Sequence, residues 1–448
     1  VAMSSATIEV AAPIPVRCAL TSERCTAGPG RLRIGAQGIR SAGYDVTLAE
    51  GTVTLERAEF VGSSWTAQGG LDLVGVRVEP LPVTLPPSAW QVKFTANQAG
   101  LKAEARGDLP GRESVVTATV AQSFGGGDGS VRLVLGPLQF DSGANSLQKW
   151  LPGLPVSFDL TAGRITASMD LVWTPSRSKD STSVVLQPGK ITIQADQLSA
   201  AVQGMAIQGI NTTMAFDLQG FEQVRTSQPA VVHMAAIQTG VALTDVSVTA
   251  DLQWSLSDLW PVLDLKDIQA GLFGGSVTSP GLHLDPAKPS HRLVLSLRRC
   301  DLAKLLSLEQ QKGLQGTGLL NGTIPLTVTA KGVSVKDGTV EAEAPGGMIR
   351  YQPSPESATL LADAAPSVKL VAQALSNFQY TVLRAGVQYA EAGVLQLAAQ
   401  LEGRNPDMKK SPPIHFNVNV QENIPALLQS LRLVQDIEDS LQGKVQRR

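Results

Sequence analysis

The sequence has little charge, few aromatics and almost no cysteine. Aspartate, glutamate, lysine and arginine together make up 17% of the 448 residues, and aromatics only 4%. The two signs nearly cancel, at a formal −2, so neither nucleic acid nor a strongly anionic surface is implied as a partner. No run of eighteen apolar residues occurs, which excludes a membrane-spanning helix within this stretch. The opening "VAMSSATIEVAAPIPV" has neither a basic start nor a long apolar run, so it is not an intact signal peptide or anchor. The chain reads as a mature or truncated form.

Reactive constellations are missing too. The four histidines, His233, His283, His291 and His415, are scattered, with no HxH or HxxxH pair and no carboxylate cluster nearby. No G-x-S-x-G elbow offers a platform for a nucleophilic serine. "FGGGDGS" (124–130) lies between alternating flanks and reads as a hairpin connection, without the lysine of a phosphate loop. "GLQGTGLLNGTIPL" (313–326) follows a helix and leads into a strand, the reverse of a dinucleotide fingerprint. Its Gly316, Gly318 and Gly322 let a strand pass close to its neighbours. Arg298 and Arg299 are adjacent and point to opposite faces of a strand, so they do not pair on a dicarboxylate. The reading is a protein that is not an enzyme and needs no cofactor or metal.

Cys18 and Cys25, with six residues between them, are spaced to staple a small loop in an oxidising compartment; two free thiols are the alternative. Cys300, in "LSLRRCDLAKLL", reads as a buried, inert thiol. Asn211-Thr212-Thr213 and Asn321-Gly322-Thr323 match the glycosylation pattern and read as chance occurrences in a threonine-rich chain.

What is abundant is alternation. Runs such as "YDVTLAEGTVTLERAEF" (44–60), "WQVKFTANQAGLKAEARGDL" (90–109) and "TGVALTDVSVTADLQW" (239–254) alternate apolar with polar residues. Turn residues such as Glu50-Gly51, Pro188-Gly189 and Ala392-Gly393 sit between alternating flanks. The fold class is therefore all-β, an antiparallel meander of roughly fifteen to twenty-five strands. Short helices are predicted over 145–154, 300–313 with Asp301 as N-cap, 356–378 broken before Pro366, and 423–444. Three segments divide the chain: 1–140, 141–254 and 255–448.

A sheet of this many strands twists, and with one apolar face it curls around that face into an open trough. The candidate lining is the apolar set of the cleanest strands: Val241, Leu243, Val246, Val248, Leu252 and Trp254, then Leu326, Val328, Val333, Val335, Val340, Leu395, Leu397 and Leu401. The same pattern fits the filled core of a stacked, structural or adhesive β-protein of the envelope, because periodicity does not separate a filled core from an open one. Near the end, "IHFNVNV" alternates without a slip. Ile414, Phe416, Val418 and Val420 point one way, and His415, Asn417 and Asn419 the other. The residues that normally protect an edge, Lys409, Lys410, Pro412 and Pro413, stand before this strand and not within it. Its free edge suits the addition of a partner strand.

An "AGLFGGSV" strand, a "DLAKLL" helix, "GLQGTGLLNGTIPL" and "VSVKDGTVEAEAPGGMIRY" follow in order over 263–351. With the run "ALSNFQYTVLRAGVQYAEAGVLQLAAQLEGRNPDMKKSPPIHFNVNVQENIPALLQSLRL" (374–433), this resembles the AsmA-like, TamB-related bridge proteins of Gram-negative envelopes, in the YdbH or dicarboxylate-transport-domain branch. The resemblance is good over about 254–433 and weak before it. It implies a curled sheet in the periplasm that conducts phospholipid between inner and outer membranes and contributes to outer-membrane lipid homeostasis. It also implies an N-terminal inner-membrane anchor, absent from this chain, and a small outer-membrane lipoprotein partner, YnbE-like, that pairs at the C-terminal strand.

Overall fold

The computed structural model describes residues 2–12, 14–19, 23–41, 44–79, 87–109, 112–142, 147, 158–178, 181–202, 205–219, 223–239, 241–255, 258, 260–307, 313–329, 332–353, 366–409 and 412–423. Over these the chain is all-β, with twenty-eight strands and two helices, and its ladders are antiparallel. The count exceeds the sequence expectation because breaks divide single apolar runs. Gly318, at φ +131, separates Leu314–Thr317 from Leu319–Thr329 within one glycine-rich stretch. Two compact units contain these strands.

The first unit comprises Val1–Gly204, Gln208–Ala230 and Asp251–Pro261. Numbering strands in chain order, its spine is a meander of β6 (Glu50–Val61), β7 (Ser64–Glu79), β8 (Ser88–Asn97), β9 (Gly100–Leu109), β10 (Arg112–Ser123), β11 (Gly129–Asp141) and β12 (Phe158–Ser178). Hairpins of a few residues join most of these neighbours, which makes antiparallel pairing the geometric default. The strict meander is broken by short strands: β1 (Ala2–Ala12) pairs with β4 (Gly30–Ser41), and the small hairpin β2 (Val16–Ala19)–β3 (Arg24–Ala27) joins through β3 to β6. In that hairpin Cys18 stands opposite Cys25 and the two are disulfide-bonded, with Cα atoms 4.0 Å apart.

The second unit comprises Met205–Ile207, Val231–Ala250 and Val262–Arg448. Its spine pairs β21 (Ser290–Asp301), β23 (Leu319–Thr329), β24 (Gly332–Ala342), β26 (Phe378–Tyr389), β27 (Val394–Arg404) and β28 (Ile414–Asn423) in that order. Helix α1 (Leu302–Leu306) starts where the sequence predicts: the Asp301 carboxylate accepts from the Ala303 N–H at 2.8 Å. Helix α2 (Pro366–Leu375) begins at the proline that was expected to break its segment. The strand containing "IHFNVNV" extends through Asn423, so the helix expected from that residue does not begin there. The rest of that helix, the first half of 356–378, and 145–154 apart from Leu147 lie outside the described residues.

Candidate functional site

Strand register sorts side chains onto two faces, since directly opposed residues share a side. In the second unit one row runs Leu293, Leu326, Val335, Tyr389 and Leu395 across successive strands. Beside it run Val387, Leu397 and Val420, then Val340, Ala385, Ala399 and Val418. The opposite face carries Asn321, Glu341, Arg384, Gln400 and Asn417. One face is thus predominantly apolar, with His291 opposite Val328 and Glu422 opposite Leu395 at its margins, and the other predominantly polar. Along most of the apolar face the side chains are only half-buried, including Leu326, Val328, Val387, Leu395, Leu397 and Val420.

At one end that face is closed. Phe378 is 0% exposed and meets Phe416 edge-on, with ring centroids 5.1 Å apart. Tyr380, Leu383, Leu401, Cys300, Leu302 and Leu320 complete the cluster, so α1 supplies Leu302 to a filled core. The Tyr380 hydroxyl donates to the Thr317 carbonyl at 2.8 Å, and a Cβ on Gly318 would overlap that hydroxyl. Burial pushes the Tyr380 phenol and the Cys300 thiol up from their ordinary values. Asn405, 1% exposed, holds the end of α2. Its Nδ2 donates to the Gln373 carbonyl at 2.8 Å and the Ala374 carbonyl at 3.2 Å.

The predicted lining divides between these environments. Leu401 belongs to the filled cluster, with Val340, Ile414 and Phe416 packed on it. Val328 and Val333 face one another at a hairpin end, where Val333 is exposed. Val241 is half-buried just before β18 (Ala242–Ser255), and Val248 is buried on that strand. Leu243 and Val246 pack with Ala270 and Val277 in the second unit. Leu252 and Trp254 pack with Phe216, Leu218 and Val224 in the first. The predicted partner edge is the last ladder: β28 pairs with β27, and its other side joins no ladder among the described residues. His415, Asn417, Val418 and Asn419 are exposed there, with His415 Nδ1 3.7 Å from Glu402.

A second apolar face went unnominated in the sequence reading. Across seven strands of the first unit Val53, Leu71, Val92, Ala105, Ala118, Leu133 and Met169 stand in one row. The next row is Leu55, Gly69, Phe94, Ala103, Val120, Val131 and Leu171. The reverse face carries Lys93 opposite Glu104, and Arg132 paired with Asp170 at 3.7 Å. The signal was present as alternation in 44–60, 90–109 and 113–140, but only the register joins those strands into rows.

The wet face of the second unit has an open concavity of about 890 Å³ bordered by Arg298, Arg299, Asn321, Glu341, Glu343 and Arg384. Two of its cations are already paired, Arg299 with Glu343 at 2.9 Å and Arg384 with Glu341 at 3.8 Å. Among the described residues no group of three or more histidine, cysteine, aspartate or glutamate side chains is placed to hold a metal ion. No described helix is long and apolar enough to cross a membrane.

The YdbH-like family model, described as intermembrane phospholipid transport protein YdbH, matches residues 10–446. The match therefore reaches through the first unit, where the sequence resemblance had been weak. No curated protein and no solved structure matches the chain.

Proposed function

The chain belongs to the YdbH-like family of intermembrane phospholipid transport proteins, and from that premise we propose that its apolar sheet faces line an open groove for phospholipid acyl chains. The observation that carries the reading is the half-buried apolar face backed by a wet one, with Val387, Leu397 and Val420 in one row and Arg384, Gln400 and Asn417 on the reverse. Two acyl chains hold roughly 30 methylenes, so carrying them through water would cost about 25 kcal/mol at about 0.8 kcal/mol each. A surface of valine, leucine and isoleucine makes the transfer nearly neutral, while the head group stays in water. Such a task requires no reactive side chain.

On this reading the protein works in the periplasm, moving lipid between the inner and outer membranes and supporting outer-membrane lipid homeostasis. The full-length protein is held at the inner membrane by an N-terminal anchor. Leu243, Leu326, Val328, Leu395 and Leu397 contribute lining, and the buried Val246 and Val248 support it from beneath. The outer edge of β28 accepts a strand from a small outer-membrane lipoprotein of the YnbE type, extending the groove. Asn417→Pro removes a backbone donor from that strand, and should abolish partner binding with the fold intact; unaltered binding would remove the edge from the scheme.

A structural envelope protein with closed cores is the second reading, favoured by the filled cluster around Phe378. Native mass spectrometry of gently purified protein separates the two: bound phospholipid is expected, and its absence favours the structural role. Leu397→Asp, with circular dichroism unchanged, should lose lipid photo-crosslinking. Undiminished crosslinking would sink the groove.

A further inference from the structure

In the first unit the apolar rows end in a rim of aromatic rings. The hairpin tips at 62–63, 98–99 and 124–128 lie along one edge, tied together by hydrogen bonds. The Gln98 side chain donates to the Ser63 carbonyl at 2.9 Å, and the Phe124 N–H to the Ala99 carbonyl at 3.0 Å. Just inside these tips Phe60 stands opposite Trp65, and Trp65 stacks on Phe124 with ring centroids 6.4 Å apart. Farther along the edge Trp173 covers Gly129, where a Cβ would overlap the indole. The Trp173 indole N–H donates to Gln122 Oε1 at 2.9 Å, and Gln122 is itself held by the Ser123 and Asp128 carbonyls.

This is a concentration of rings in a chain that has only six tryptophans and ten phenylalanines. Phe60 is 45% and Phe124 50% exposed, and the Trp65 indole N–H donates to no protein group among the described residues. Inward of the rings lie the apolar rows of Leu55, Phe94, Val120 and Val131; outward lie the polar tips. Tryptophan is the side chain suited to such a boundary, with an apolar body and one donor. The neighbouring cations Arg24 and Arg57 are both paired with Glu59, and Lys102 beside them stands on the reverse face, opposite Thr95, so the ring side of the rim presents no unpaired cation cluster for a phosphate.

We propose that this rim is a lipid-positioning site. Trp65, Trp173, Phe60 and Phe124 hold the glycerol-ester boundary of a phospholipid whose acyl chains lie along the apolar rows of the first unit. The proposal rests on the groove reading above. It adds that the lipid is recognised at its polar–apolar boundary and not by head-group charge, so zwitterionic and anionic phospholipids are held alike.

The test loads the full chain with phosphatidylcholine brominated either near the glycerol end or near the methyl end of its acyl chains, then removes vesicles. The fluorescence of Trp65 and Trp173 is read as the difference between the native chain and W65F/W173F, with bound lipid counted by mass spectrometry. The expected result is a greater loss of that difference signal with bromine near the glycerol end. Equal or greater quenching from the methyl end, or none while lipid is bound, would overturn the rim and leave the groove standing. Quenching that needs intact vesicles would assign the rim to a bilayer surface and also overturn it. A native chain that binds no lipid overturns the groove reading, and this proposal with it. Phe124→Ser, which spares both indoles, should lower retained lipid with circular dichroism unchanged; undiminished retention counts against the rim.

Discussion

Leu397 and Leu401 lie on the same face of one strand and meet opposite surroundings. Leu401 is 6% exposed, opposite Leu383 on one side and Phe416 on the other, in the cluster that Phe378 and Tyr380 fill. Leu397 stands between Val387 and Val420 and remains half-buried. The polarity pattern is identical at both positions. What differs is the volume delivered from elsewhere: two phenylalanines, a tyrosine and Leu302 of α1 gather in the cluster at the first site, whereas the second is flanked by Val387 and Val420 on the adjacent strands. A closed core and an open face are thus written in the same alternation, and the size and origin of the covering side chains separate them.

The largest effect should come from emptying the closed end. Phe378→Ala leaves a cavity beside Phe416 and should destabilise the protein by about 3–5 kcal/mol in urea unfolding. A change as small as that at Leu397 would break the distinction. Asn405→Ala should follow, at about 1–3 kcal/mol, because buried carbonyls at the end of α2 lose their donor. Faster proteolysis within 366–375 is the accompanying readout. Leu397→Ala should lose only about 1–2 kcal/mol, since much of that side chain is already in water, while lipid retention falls. If it unfolds the protein as readily as the Phe378 variant, the face is a closed core.

The smallest effect concerns alkaline pH. Burial favours the neutral Tyr380 phenol, so the folded chain keeps that proton to higher pH than the unfolded chain does. Stability is therefore unaffected below the ordinary phenol value of 10.0 and declines as pH rises through the raised folded value. Tyr380→Phe should flatten this decline at a loss of about 1 kcal/mol at neutral pH, where the bond to Thr317 is missing. An unchanged alkaline slope in the variant would assign the loss to another group.

Much of this was legible in advance, and the misses have physical causes. The all-β class, Asp301 as a cap and the alternation of Ile414 to Val420 follow from local rules, because strand period and capping depend on neighbours in the chain. The apolar face of the first unit runs through β7 and β12, which lie outside the quoted alternating runs. A row such as Val53, Leu71, Val92 and Ala105 exists only once register is set, and turn geometry and bulges set it. Bulges between Leu297 and Cys300, and between Thr323 and Leu326, shift facing residues in ways that a period of two does not carry. The aromatic rim was invisible for a related reason: Trp65 and Phe124 are far apart in the chain and stack only because hairpin tips line up on one edge.

From its sequence alone this protein was bound to be a chain of antiparallel strands with one apolar and one wet side. Alternation, turn residues and low charge are local properties that no packing arrangement reverses. Which stretches of that apolar side are closed, which stay half-open, and which rings gather at the rim belong to the tertiary structure. Those outcomes depend on volume brought together from distant strands, and volume adds up only after the strands are in register.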